Sequence, residues 1–427
     1  MNALNTTPGR WITVAVLTTL LPVAALALPR ADGAHPGVMQ QRLELLDRVL
    51  RQDVEDGRVP GLVAAVVRDG QIAYLEPMGW QNLEAGIAMP FDGIFQIRSM
   101  SKPITALAVM QQLEAGRLSL TDPVSKYIPA FANMQVMDDP ADWQNPELRP
   151  AARSLTIEDL LLHTGGLSHR FSPLYSSNNV RSRSDTLEQL VEKVAAQPLV
   201  ADPGEQWNYS ISTTVLGRVV EIVSGQRFDH YLAEHVFGPL GMVDTGFHVP
   251  NDKRDRQVMA YNVPSNAGGG FEAVPDMTVP IRQEPALFEG AAGLVSTVPD
   301  YLRFLQAMLN GGELDGERVL TAESVALLTQ NQLDPSLLPL RLGGNALPGL
   351  GWGYGFSVVL QPEQSPFAVN RGEFGWNGSL GTFSWVDPET GSIAVLMMQI
   401  SPSGAWDMSA RFKSLVYQAL VTVGAAE

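Results

Sequence analysis

Residues 101–116 read SKPITALAVMQQLEAG and are apolar on almost every side of a helical projection. A helix that is hydrophobic all round presents no face to water, so the remainder of the chain has to enclose it. With 427 residues, 45% of them apolar, there is enough chain to do so as one large or two ordinary domains. Pro103 is tolerated only in a first turn and Gly116 suits the position just past a last one, so the helix starts at about Ser101. Ser99 and Lys102 then lie at its N-terminal mouth, where unpaired backbone N–H groups and the helix dipole favour developing negative charge.

Lys102 is one of only five lysines. In a helix this buried its ammonium is desolvated, and its pKa falls towards the range of a general base. Ser99 lies one helical turn away, so the amine can take the hydroxyl proton and make a nucleophile. The spacing alone is a weak signal, because with 27 serines and five lysines chance supplies roughly a third of one S-x-x-K match. The competing reading has Ser99 capping the helix and Lys102 snorkelling to solvent.

Charge and composition remove several function classes. A formal charge of −16 and a pI near 4.8 exclude nucleic acid and anionic membrane surfaces as expected partners, since both are held by clustered Lys and Arg. The absence of cysteine removes disulfides, thiolate nucleophiles and Cys-type zinc sites. His35, His163, His169, His230, His235 and His248 show no metal-binding spacing, so no metal is expected. At the N-terminus, RWITVAVLTTLLPVAALALPRADGA places Arg10 before an uncharged apolar run from Trp11 to Leu28 that contains the small-x-small pattern Ala25-Leu26-Ala27. This predicts a signal peptide over 1–27, a mature chain of 28–427, and export to the periplasm or the medium. An uncleaved anchor is the alternative, because about 18 apolar residues begin to span a bilayer. With the signal cleaved, no stable membrane contact is expected.

QRLELLDRVLRQDVEDG carries Leu43, Leu46, Val49, Leu50 and Val54 at helical spacing. GLVAAVVRDGQIAYLEPMGW reads as two strands joined by the Asp69-Gly70 turn, which makes the sheet at least partly antiparallel. Helical patterns follow at SLTIEDLLLHTGGL, DTLEQLVEKVAAQ, STTVLGRVVEIVSG and FDHYLAEHVFGPLG, then at TVPDYLRFLQAMLNGG. GWGYGFSVVL, FGWNGSLGTFSWVDP and GSIAVLMMQI are strand-like, and WDMSARFKSLVYQALVT closes the chain as a helix. Strands at both ends around a helical middle predict an α/β fold with one sheet built from about 40–117 and 286–427, and a mostly helical inserted subdomain over about 118–285.

The segments Ser99-Met100-Ser101-Lys102, LLLHTGGL at 160–167, NYS at 208–210, FGPLGMVDTGF at 237–247, GAAGLVSTVPDYLRF and GWNGSLGTFSWVDP occur in this order. The ordered set is similar to that of the serine beta-lactamase-related family over nearly all of 28–427. Within it the chain most resembles the esterases related to class C beta-lactamases, the family VIII carboxylesterases. The resemblance implies a beta-lactamase/transpeptidase-like fold, with a central, mainly antiparallel sheet flanked by helices. It further implies a serine hydrolase acting on small-molecule esters without a cofactor. Ser99 would be the acylated nucleophile and Lys102 the group that helps deprotonate it. Tyr209 would be the second general acid or base, its phenolate made accessible by a cationic lysine beside it.

Trp376-Asn377-Gly378 stands in the place of the family's K-T-G motif. There the Ser379 N–H would join that of Ser99 as an oxyanion hole, with Gly378 letting substrate lie close to the strand. The chain departs from the lactamases in two places: Trp376 replaces the lysine that holds a penicillin carboxylate, and Ile211 replaces the asparagine of Y-x-N. Both changes favour a neutral or apolar ester over a beta-lactam. A D-aminopeptidase, a DD-peptidase or a weak class C-like beta-lactamase would use the same serine and lysine, and a non-catalytic binding protein of the same fold is a further alternative. Two decoys fit less well. NGSLG at 377–381 resembles a G-x-S-x-G elbow but begins with Asn377 and runs strand to strand, so Ser379 is not the expected nucleophile. His163 ends an apolar helix and reads as a structural histidine.

Overall fold

Gly61–Arg68 (β1) and Gln71–Asn82 (β2) form the hairpin that Asp69-Gly70 predicts, both turn residues taking positive φ, 49° and 77°. They belong to a computed structural model that describes residues 27–264 and 270–420; the expected signal segment, apart from Ala27, lies outside the described residues. The sheet continues through Ile87–Ala88 (β3), Leu350–Trp352 (β4), Ser357–Val359 (β5), Phe374–Gly375 (β6), Thr382–Asp387 (β7) and Ser392–Met397 (β8). The spatial order is β4-β5-β6-β7-β8-β1-β2-β3, and every neighbouring pair is antiparallel. The two ends of the chain meet at β8–β1, in register from Val63↔Met397 to Arg68↔Ser392.

Side chains alternate across a strand, and β1 uses both faces, all eight of its residues being buried. Leu62, Ala64 and Val66 face Gln40–Glu55 (α1) and Met408–Ala419 (α7), meeting Leu43, Leu46, Phe412 and Val416. Each buried leucine, valine or phenylalanine among them contributes about 1.5–3 kcal/mol. Asp53 of α1 is wholly buried and accepts hydrogen bonds from Arg58 (2.5 Å) and from Arg411 of α7 (2.7 Å), tying the two helices together. Val63, Ala65 and Val67 point the other way, into the core that holds Ser101–Glu114 (α2) and Val298–Leu309 (α6). Every residue of α2 from Ser101 to Met110 is buried, as its all-round apolar surface requires.

Between 118 and 285 lie Ile157–Leu161 (α3), Leu187–Ala195 (α4) and Ser212–Ser224 (α5), with short two- and three-stranded ribbons. α5 packs against α2. Two of the expected helices come out shorter than their patterns. SLTIEDLLLHTGGL yields only α3, because the backbone turns left-handed at His163 (φ 57°) and Gly166 (φ 72°). FDHYLAEHVFGPLG is α-helical over Phe228–Leu232 and then widens to a π turn over Ala233–Phe237. Among the described residues no helix is long and apolar enough to cross a bilayer.

Candidate active site

Ser99 is set at the head of α2 by Arg98, which holds the left-handed region at φ 47°, uncommon for a residue with a side chain. One turn on, the Lys102 amine is 3.4 Å from Ser99 Oγ and donates to the Ala291 carbonyl at 2.9 Å. Lys102 is 4% exposed, so it does not snorkel. The turn that supplies Ala291 is fastened to its surroundings on three sides. Thr105 Oγ1 donates to the Gly290 carbonyl (2.8 Å), the Leu294 N–H donates to Ser101 Oγ (3.2 Å), and the Ala291 N–H donates to Thr214 Oγ1 (3.3 Å).

Burial pushes the Lys102 pKa well below that of an ordinary lysine, the Arg170 guanidinium pushes it further, and the Glu289 carboxylate opposes both. A neutral amine can donate to Ala291 and still offer its lone pair to the Ser99 hydroxyl. The 3.4 Å separation is long for a hydrogen bond, as is common for catalytic pairs without substrate.

Tyr209 stands over the same amine, whose nitrogen is 4.5 Å from the ring centroid. His163 holds it there. The His163 carbonyl accepts from the Asn208 N–H (2.8 Å) and its Nδ1 lies 3.2 Å from Ser210 Oγ, so the residues on both sides of Tyr209 are pinned. Gly166 has to be glycine for this turn to close, since a Cβ there would meet the Ala201 carbonyl oxygen at 2.1 Å. His163 is buried, and desolvation, reinforced by Lys102, holds it well below an ordinary histidine. The structural role expected of it is the one its contacts describe.

Tyr209 itself departs from expectation. Burial pushes its phenol up to about 12, while hydrogen bonds with Ser99 and Trp376 pull the other way. With Lys102 held towards its neutral form, the phenolate expected beside a cationic lysine is disfavoured at neutral pH. The Tyr209 oxygen accepts the Trp376 indole N–H at 2.9 Å. Tyr209→Phe is therefore expected to lower kcat by about 10² through loss of a proton donor and acceptor, and to cost about 1–3 kcal/mol of stability by leaving the Trp376 indole N–H without its acceptor; ester kinetics and calorimetry check both.

Trp376, Gly378 and Ser379 follow β6 and face the head of α2. A Cβ on Gly378 would lie 2.4 Å from the Ile97 carbonyl oxygen and 2.2 Å from Thr382 Oγ1, so the strand approaches within two residues of Ser99 only because this position is glycine. Among the described residues neither the Ser99 nor the Ser379 backbone N–H donates a hydrogen bond, which leaves two donors free at the site. Gly378→Ala is expected to cost about 10² in kcat/KM by displacing one of them, and about 1–3 kcal/mol of stability by overpacking; rates and thermal unfolding measured on the same variant test it.

Ser99, Tyr209, Trp376, Gly378 and Ser379 all line one cavity of about 730 Å³ whose walls are mainly apolar, with Phe171 at the rim. A model of the family described as Beta-lactamase matches residues 46–417. The chain belongs to the beta-lactamase family. Among relatives of this family member, esterase EstB of Burkholderia gladioli is 28% identical over 84% of this chain and 91% of its own length. Lovastatin esterase of Penicillium rubens is 27% identical over 80% and 88%. The solved structure of EstCE1, a hydrolase with promiscuous acyltransferase activity, superposes with a TM-score of 0.74 at 25% identity, covering 89% of this chain and 98% of that one. With this kinship the beta-lactamase-family chain is a serine hydrolase related to family VIII carboxylesterases.

Sequence reasoning singled out Ser99, Lys102, Tyr209, Trp376, Gly378 and Ser379; the structure places five of them on one cavity and Lys102 3.4 Å from Ser99 Oγ. It missed Ala291, whose contribution is a carbonyl, and Arg170, whose charge acts on Lys102 from the loop at 169–185.

Proposed function

We propose that the protein is a carboxylesterase that works through an acyl-enzyme on Ser99. The reading rests above all on one observation: a serine, a buried lysine and a buried tyrosine converge at an apolar cavity, and the tyrosine oxygen accepts the Trp376 indole N–H. As the Ser99 oxygen bonds to the ester carbonyl carbon, its proton passes to Lys102 Nζ. The N–H groups of Ser99 and Ser379 receive the oxyanion. Tyr209 passes the proton from Lys102 to the departing alcohol as the C–O bond breaks. Water then attacks the acyl-enzyme and loses a proton to the same relay, which returns it to Ser99.

The names of the relatives support an ester as substrate, and a neutral tryptophan where a lactamase carries lysine disfavours the penicillin carboxylate at that position. The test is hydrolysis of p-nitrophenyl butyrate by the purified protein, with intact-mass and peptide mapping of the enzyme quenched during turnover. An acyl adduct on the peptide containing Ser99 is expected; turnover with the adduct on any other residue would overturn the assignment.

A further inference from the structure

The mechanism leaves unused a second cavity, of about 420 Å³, lined by Gln96 and by Arg98, the residue before Ser99. Its polar lining is unusual for a chain of formal charge −16. Arg98, Arg181 and Arg183 line it together with Glu289. Arg170 belongs to the lining of the apolar cavity yet reaches the same Glu289, so the two cavities share a wall.

The charges in this cluster do not balance. Glu289 is 3% exposed and fully engaged: Oε1 accepts from Arg170 at 3.0 Å, and Oε2 accepts from Arg181 Nε and Nη2 at 3.0 and 2.7 Å. Burial alone would raise its pKa, and the two guanidiniums overcome this and bring it to about 2. Arg98 and Arg183 have no such partner; among the described residues neither guanidinium makes a hydrogen bond or an ion pair. Burial, aided by Arg170, Arg183 and Arg181 and opposed by Glu289, lowers the Arg98 pKa to about 10. Arg183 is lowered in the same way, with Asp276 and Glu289 opposing. Glu284 also lines the cavity, but it is exposed and pairs with Arg227. Four guanidiniums thus face one buried carboxylate, and two of the four are uncompensated.

A cation drawn partly out of water without a partner is costly, and at the half-buried Arg98 an anion that fits its hydrogen-bonding fork removes that cost, with Arg183 reaching in from the exposed rim. We propose that the arginine-lined cavity beside the nucleophile is a carboxylate-binding site, with Arg98 and Arg183 gripping the anion and Glu289 holding Arg170 and Arg181 in place around it. A carboxylate suits the planar guanidinium fork, and Glu289 already shows two of these arginines sharing one, Arg170 on Oε1 and Arg181 on Oε2. The carboxylate belongs either to the substrate itself, as in the half-ester of a dicarboxylic acid, or to a free carboxylate that occupies the cavity while another ester reacts.

The two sources separate experimentally. The ratio of kcat/KM for mono-p-nitrophenyl adipate to that for p-nitrophenyl hexanoate is measured in wild type, Arg98→Gln and Arg183→Gln, and adipate is titrated calorimetrically into the same three proteins. Arg183 sits at the exposed rim and provides a variant that does not depend on the backbone at Arg98. At least one readout, the ratio or the adipate affinity, is expected to fall about tenfold or more in each variant, as hydrogen bonds to charged groups require, and to weaken with added salt in wild type. A fall in the ratio alone identifies the substrate as the source; a fall in adipate affinity alone identifies a free ligand. If both variants leave both readouts within twofold of wild type, the site is refuted. The ratio rests on the ester reading above, whereas the titration does not, so loss of that reading would leave the titration to decide.

Discussion

Ser99→Ala is expected to lower kcat/KM for p-nitrophenyl butyrate by about 10⁴ or more. The change removes the oxygen proposed to form the acyl bond and leaves its surroundings standing: Lys102 keeps the Ala291 carbonyl, and Tyr209 keeps the Trp376 indole. What would survive is binding and the two backbone N–H groups proposed to receive the oxyanion, which retain only part of an enzyme's advantage over water. Ser379→Ala is the discriminating control. It removes a hydroxyl but keeps the backbone N–H, so its loss is expected to stay below about tenfold. Steady-state rates of the two variants side by side, with circular dichroism to show that each is folded, decide the matter. A Ser99→Ala enzyme within tenfold of wild type, or a Ser379→Ala enzyme as dead as Ser99→Ala, would remove Ser99 from the nucleophile's role.

The parts legible in the sequence are those with a local physical cause. Asp69-Gly70 specifies a turn by its tolerance of positive φ, and the composition of 101–116 forces α2 inside wherever the remainder goes. Glu289 was illegible for the opposite reason: it is the acid in an otherwise apolar FEGAAG, and only the arrival of Arg170 and Arg181 from more than 100 residues away makes its burial tolerable. The Lys102–Ala291 bond spans 189 residues and leaves no side-chain signature at its acceptor end. Tyr209 shows a third kind of failure. The structure brings it to the cavity beside Ser99, but burial pushes its phenol up, against the accessible phenolate expected from the sequence, because the pKa of a phenol depends on how much water the fold leaves around it and on whether its neighbour still carries a proton.

That neighbour allows catalysis and stability to be separated. Lys102→Met is expected to reduce kcat/KM by about 10³, within the range of a lost general base, while Tm at pH 7 stays equal to or above that of wild type. The stability half follows from linkage. In the folded protein burial and Arg170 hold the Lys102 pKa well below its ordinary value, so unfolding at neutral pH lets the lysine bind a proton. Lys102 therefore costs stability at neutral pH, and the cost fades as pH rises towards about 10.4, where the unfolded lysine also becomes neutral. Methionine keeps the length and removes that cost, offset in part by leaving the Ala291 carbonyl without its donor, about 1–3 kcal/mol. The catalytic half has its own signature in pH. Wild-type kcat/KM should rise as pH climbs through the depressed Lys102 pKa, because the reactive form is the free amine. The Tyr209 phenol, at about 12, stays protonated throughout. Arg170→Gln removes a repelling cation and leaves the Glu289 carboxylate to pull the other way, so the same limb should move to higher pH. In Lys102→Met the limb should vanish from whatever activity remains. A Lys102→Met enzyme that kept the limb unshifted would show that another group is the base and that the desolvated lysine serves only to position Ser99.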